Sequence, residues 1–184
     1  MDIFGAIATL LAPLIGICGW KFLARRKTIY QLSLSANEHL LSLQKNIHAL
    51  RNPIRYYAVP DNSEKGRYEA YVKELQKDTE PLNKDLNKLD TIMLKFKAIG
   101  RTDIDELYEN VRRDIKELNV MLSDHLEERN PDNYKPTSIY DDYEEPKPKE
   151  YEFGGLQSDE FGKKVNSNIN AVKNKLNKII KFWM

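Results

Sequence analysis

Residues 19–32 read GWKFLARRKTIYQL: an apolar run closes in Arg25, Arg26 and Lys27, and more than 150 largely polar residues follow. Three readings compete for such a junction: a cleaved export signal, a membrane anchor, or the first helix of a soluble core. Ile3 to Trp20 carries no charge, and beyond Lys21 the triplet Phe22, Leu23 and Ala24 extends the apolar character. As a helix, residues 3–24 rise ~33 Å, close to the ~30 Å of a bilayer's hydrocarbon core. An export signal begins basic and ends at a small-x-small cleavage site. This chain begins Met1-Asp2 and ends its apolar run in cations, the flank of a stop-transfer anchor. The positive-inside rule then puts the amino terminus outside and the rest in the cytosol, a single-pass protein of the inner (cytoplasmic) membrane. Trp20 and Lys21 fall at the inner interface as a belt aromatic and a snorkelling cation.

Within the anchor, Gly5, Ala8, Ala12, Gly16 and Gly19 recur at three- and four-residue spacings and share one helical face. Small residues let helix backbones approach closely in lipid. The stripe reads as a surface for self-association or for docking another membrane subunit, or else as the ordinary Gly and Ala content of membrane helices. Cys18 is the only cysteine, so neither an intramolecular disulfide nor a cysteine-based zinc site is available. Near the inner interface it is a small apolar filler or a site of acylation.

Past the cations, apolar residues alternate at spacings of three and four. Ile29, Ser33, Ala36, Leu40, Leu43, Ile47, Leu50 and Ile54 follow the pattern, so the anchor helix continues unbroken to about Asn52-Pro53. A second stripe holds Tyr68, Val72, Leu75, Thr79, Leu82, Leu86, Leu89, Met93 and Phe96. Pro81 interrupts it, and DTEP at 78–81 reads as a helix start, so a kink or two shorter helices are expected. Gly100 serves as a left-handed terminator, and Thr102 with Asp105 resembles a capping box. Ile104, Tyr108, Val111, Ile115, Leu118 and Leu122 carry a third helix to about Arg129. Phe161, Val165, Ile169, Val172, Leu176, Ile179 and Trp183 carry a fourth from about Ser158.

Four amphipathic stripes without a strand signal predict an all-α fold: one transmembrane helix continuing into a cytosolic antiparallel four-helix bundle of coiled-coil character. The divisions are an anchor with its basic flank at 1–27, three bundle helices at 28–129, an acidic loop at 130–157 and a basic amphipathic helix at 158–184. Alternating direction brings the last helix back to the bilayer, and it ends KIIKFWM. Trp20, Lys21, Arg25, Arg26, Lys27, Lys178, Lys181 and Trp183 are therefore the expected contacts with an anionic inner leaflet, where each cation is worth ~1 kcal/mol. By count, residues 101–129 carry −4 and 158–184 carry +4, so the third helix is placed to offset charge on the fourth.

The loop embeds aromatics in acid. Tyr140, Tyr143, Tyr151 and Phe153 stand beside Glu144, Glu145 and further carboxylates, among Pro136, Pro146 and Pro148. It reads as a docking motif for a basic partner surface, as an internal clamp on the Lys-rich last helix, or as a solvated linker.

A formal net charge of +1 argues against a nucleic-acid partner. No phosphate loop, nucleophile elbow or HExxH motif is present, and His39 and His48, nine residues apart on one helix, point away from each other. His125 lies at a heptad position near a helix end, a structural place for a lone histidine. Interleaved Lys and carboxylates such as KELQKDTEPLNKDLNKLD read as a salt-bridged solvent face. No enzyme activity, cofactor or small-molecule substrate is expected. The sequence points to a non-enzymatic, membrane-tethered protein that recruits or assembles a protein partner, itself included, at the cytosolic face. The competing reading is a membrane-active effector of toxin or phage-defence type, whose anchors oligomerise under control of the bundle.

Overall fold

The computed structural model describes residues 3–51, 63–133 and 159–182; of the side chains of 3–15, 17 and 64 nothing is described. Within these limits every element is helical: α1 (Ile3–Leu50), α2 (Glu64–Ala98), α3 (Thr102–Glu128) and α4 (Glu160–Lys181), with a short 3₁₀ turn at Pro131–Asn133. The helices form a ring in which each packs on the next, α4 closing back onto α1. All four adjacent pairs run antiparallel. Arg25 meets Ile99 while His39 meets Asp85; Tyr108 meets Asp90 while Lys97 meets Asp105. On the other side of the ring Asp103 meets Lys175 while Asp114 meets Asn168, and Arg26 meets Phe182 while Gln44 meets Asn166.

The core is the heptad rows seen end to end. Ala36, Leu40, Leu43 and Ile47 of α1 meet Leu82, Leu89, Met93 and Phe96 of α2, Ile104, Val111 and Leu118 of α3, and Val165, Ile169, Val172 and Leu176 of α4. Each large apolar side chain so buried contributes ~1.5–3 kcal/mol, which holds together helices whose remaining surface is strongly polar. Ser33, fully buried on the α1 row, spends its hydroxyl on the Ile29 carbonyl at 2.8 Å.

Several local expectations need correction. Pro81 does not split α2, which runs unbroken from Glu64 to Ala98, and DTEP is helix interior. Pro81 is exposed, while Leu75 and Leu82 on the opposite face are buried. The packing of that face outweighs the ~3 kcal/mol preference against an interior proline. The helix start lies earlier, where the Ser63 hydroxyl accepts from Gly66 N at 3.0 Å. Thr102 is the first residue of α3, not its cap; Arg101 holds the cap position without a side-chain bond to the backbone. Pro131 opens a 3₁₀ turn in a stretch expected to be irregular.

At the other end of α2, Gly100 has φ +77°. Its N–H donates to Lys97 O at 3.0 Å and the Arg101 N–H to Phe96 O at 2.9 Å, the paired bonds of a Schellman motif that only a left-handed residue permits. This turn and the Arg25 guanidinium, which donates to Ile99 O, fix the end of the α2–α3 hairpin beside the basic flank of α1.

Among the described residues no helix is long and apolar enough to cross a membrane. Most of the run Ile3–Trp20 that was expected to do so lies outside the residues whose side chains are described, so the transmembrane reading rests on sequence alone.

Candidate functional site: the basic end of the bundle

Three chain segments converge at one end of the ring: residues 20–29 of α1, the α2–α3 turn, and the last turn of α4. Arg26 joins two of them, its guanidinium lying 4.8 Å from the Phe22 ring centroid and 5.4 Å from that of Phe182. Stacking of this kind lets Arg bridge aromatics without giving up its charge. Around it Trp20, Phe22, Leu23 and Phe182 are all more than half exposed. Lys21, Lys27, Lys178 and Lys181 are exposed as well and make no ion pair among the described residues. Large exposed apolar side chains and exposed cations at one end of a bundle are the composition of an amphipathic membrane contact.

The carboxylates at this end are already engaged. Asp103 takes a bidentate bond from Arg101 at 3.0 and 3.1 Å and a second cation, Lys175, at 2.8 Å. The Arg101 guanidinium, working against partial burial and helped by Lys175, lowers its carboxyl to about 2. Asp105 faces Lys97 at 3.7 Å. The acidic start of α3 thus neutralises Lys97, Arg101 and Lys175, not the outer lysines.

Of the residues expected to touch the inner leaflet, Trp20, Lys21, Arg25, Arg26, Lys27, Lys178 and Lys181 share this end; Arg25 is occupied by the Ile99 carbonyl, and Trp183 lies outside the described residues. Phe22 and the α2–α3 turn were not in that expected set. The turn was inferable, because a return helix that starts at the far end must finish here. Gly16 and Gly19 are exposed, with open space where a Cβ would stand. Gly5, Ala8 and Ala12 lie on the same helix, their surroundings not described. Tyr140, Tyr143, Glu144, Glu145, Tyr151 and Phe153 lie outside the described residues.

Elsewhere the polar groups serve packing. Asp85, expected on a solvent face, is buried, accepting from Asn46 Nδ2 at 3.0 Å and pairing with His39 Nδ1 at 3.0 Å; His48 is exposed. The Tyr108 hydroxyl donates to Asp90 Oδ1 at 3.0 Å, and burial followed by that carboxylate pushes the phenol far above its usual range. An open groove beside His39 is lined by Ser35, Glu80, Asn83, Lys84, Asn87, Lys88, Thr91 and Ile92, a polar surface with charges of both signs. Among the described residues no three His, Cys, Asp or Glu side chains gather as metal ligands.

At the opposite end, His125 is buried edge-on to the Tyr71 ring, with centroids 5.9 Å apart. Burial, then the Arg129 charge, lowers its proton affinity in the folded chain. The unfolded chain therefore takes up the proton first as pH falls, and stability declines below the ordinary imidazole value of 6.5. Thermal unfolding followed by circular dichroism should give a lower midpoint at about pH 5.5 than at about pH 7.5, and His125→Leu should remove that part of the slope. The Asp103 carboxyl acts in a separate window. It stabilises above its ordinary value of 3.8 and loses that contribution as pH falls toward about 2.

No protein-family model, curated protein or solved structure matches this chain.

Proposed function

We propose that this chain is a non-enzymatic membrane tether: residues 3–24 cross the inner membrane, and the basic end of the bundle rests on the anionic inner leaflet. The rest of the helical surface is then held at a fixed height for a protein partner in the cytosol. The observation that carries the reading is the meeting of Arg26, Phe22 and Phe182 at one end of the bundle, where Lys21, Lys27, Lys178 and Lys181 are exposed. A chain anchored through residues 3–24 has that end, and no other, against the headgroups. Four exposed lysines at ~1 kcal/mol each hold it there at physiological ionic strength, and the exposed rings enter the interfacial layer.

The test uses the full chain reconstituted in vesicles, with Cys18→Ser and a polarity-sensitive dye on Phe182→Cys. The dye should shift to the blue in vesicles containing phosphatidylglycerol. The shift should shrink in high salt, with Lys178→Gln/Lys181→Gln, and in purely zwitterionic vesicles. A spectrum indifferent to lipid charge and salt would overturn the leaflet contact.

The same vesicles separate the tether from the oligomerising effector. A tether leaves a potassium gradient intact, and a mild-detergent preparation from the native membrane carries a second chain in fixed stoichiometry. A leak abolished by Ala12→Leu/Gly16→Leu would replace the tether by the effector.

A further inference from the structure

α4 is fastened unevenly along its length. At its start Asp159 caps the helix and holds the buried Arg51 of α1. In the next two turns Lys164 and Asn168 both reach Asp114, which is 1% exposed, and Asn166 Oδ1 takes the Gln44 amide at 2.5 Å. Beyond Val172 the polar fastenings are Lys173 Nζ on Gln44 Oε1 at 3.2 Å and Lys175 Nζ on Asp103 at 2.8 Å, all between side chains that water still reaches. The seam with α1 carries a defect in this second half. Asn37 stands seven residues before Gln44 and so on the same face of α1. It lies between Gln44, which meets Asn166 and Lys173, and Arg26, which meets Phe182. Its buried Oδ1 has no hydrogen-bond partner among the described residues. A buried amide oxygen without a donor gains one when water enters, so this stretch of seam gains a bond on opening where the Gln44 and Asn166 stretch loses one. What closes it is Leu176, Ile179 and Ile180, the last two not fully covered.

We propose that the last turns of α4, from about Val172 onward, form a hinged foot that opens off α1 while the clamped first half stays in the ring, and that the anionic leaflet holds the foot shut. The second half of the proposal rests on the leaflet contact argued above. Closed, the foot ends against Arg26 of α1 with Lys178 and Lys181 exposed beside it. A chain anchored through residues 3–24 keeps that end at the headgroups, so only the closed foot has its apolar side chains covered by protein and its lysines on lipid at once. A surface that binds the closed form alone stabilises it by linkage, and two lysines at a charged leaflet lower the opening equilibrium roughly 30-fold.

Amide hydrogen exchange of the full chain tests both halves. In neutral detergent, amides 174–179 should exchange ~10-fold or more faster than amides 166–171 of the same helix. Asn37→Leu, which removes the oxygen that lacks a donor, should slow 174–179 several-fold and leave 166–171 unchanged. In vesicles, phosphatidylglycerol should slow 174–179 roughly 30-fold against purely zwitterionic lipid, and Lys178→Gln/Lys181→Gln should abolish the difference. Fast exchange confined to 180–182, which is ordinary end fraying, or α4 exchanging at one rate throughout, would overturn the foot. Faster exchange of 174–179 in the anionic vesicles would mean that the leaflet captures the open form, and would overturn its role as the lock. So would exchange indifferent to lipid charge while the dye on Phe182→Cys reports contact. Indifference of both dye and exchange would remove the leaflet contact and the lock together, leaving the foot to stand or fall on the detergent result.

Discussion

Lys164→Met should cost the bundle ~3 kcal/mol, whereas Asp114→Leu should cost under ~1 kcal/mol and the double variant scarcely more than Asp114→Leu alone. Asp114 sits on α3 beside the Val111–Leu118 row and is 1% exposed. Its Oδ2 accepts from Asn168 Nδ2 at 2.7 Å, and its Oδ1, which has no other donor, faces the Lys164 ammonium at 3.2 Å. Lys164 is half exposed and is also held by Glu117 at 2.7 Å, the bond that does most to raise its proton affinity. Removing the lysine strands a buried carboxylate, with the full cost of its desolvation. Removing the carboxylate strands no charge, because Lys164 keeps Glu117 and water, and costs only the partly buried Asn168 amide its acceptor. Urea unfolding midpoints of the four chains give the coupling. Equal single losses, or losses that add in the double variant, would mean that Asp114 is not carried as a charge by Lys164.

This pair shows where the sequence stopped speaking. The opposite charges of residues 101–129 and 158–184 were legible as sums, and α3 does lie against α4. Which carboxylate would be buried was not legible, because a helical sequence shows which of its faces is apolar but not which polar residue on the margin of that face meets a neighbouring helix. Asp85 misled for the same reason: within KELQKDTEPLNKDLNKLD it has lysines on either side, and only the approach of His39 and Asn46 from α1 takes it out of water. The heptad rows, by contrast, were read correctly over the described residues, with Ile54 and Trp183 lying outside them, because each core position repeats the signal of the last. Single-residue signals fared unevenly: Gly100 terminates α2 since no other residue adopts its φ cheaply, whereas Pro81 was overridden by the packing on either side of it. At the basic end, the lysines and aromatics were visible in the sequence, but the stacking of Arg26 between Phe22 and Phe182 follows only from the return of α4.

Asp159→Ala should cost ~3 kcal/mol, about as much as Lys164→Met, through two separable losses. Asp159 is the cap of α4: its Oδ1 accepts from Gly162 N at 2.6 Å. Its Oδ2 accepts from the Arg51 guanidinium, which is 2% exposed in the turn that ends α1 and lies 5.2 Å from the Phe161 ring centroid. The cap is worth ~1 kcal/mol. The larger part comes from Arg51, whose Nη1 has no partner among the described residues and which would then be a buried cation without its carboxylate. Asp159→Asn keeps a capping oxygen but not the charge, so it should fall between Asp159→Ala and the parent. Arg51→Met should restore part of the loss when added to Asp159→Ala, because it removes the stranded cation and leaves an apolar side chain on Phe161. Hydrogen exchange should place the damage in the first turn of α4, at residues 160–163, with the far end of that helix unchanged. A loss spread over the whole of α4, or no rescue by Arg51→Met, would show that the clamp between the end of the first helix and the start of the last, 108 residues apart in sequence, is not what seats α4 in the ring.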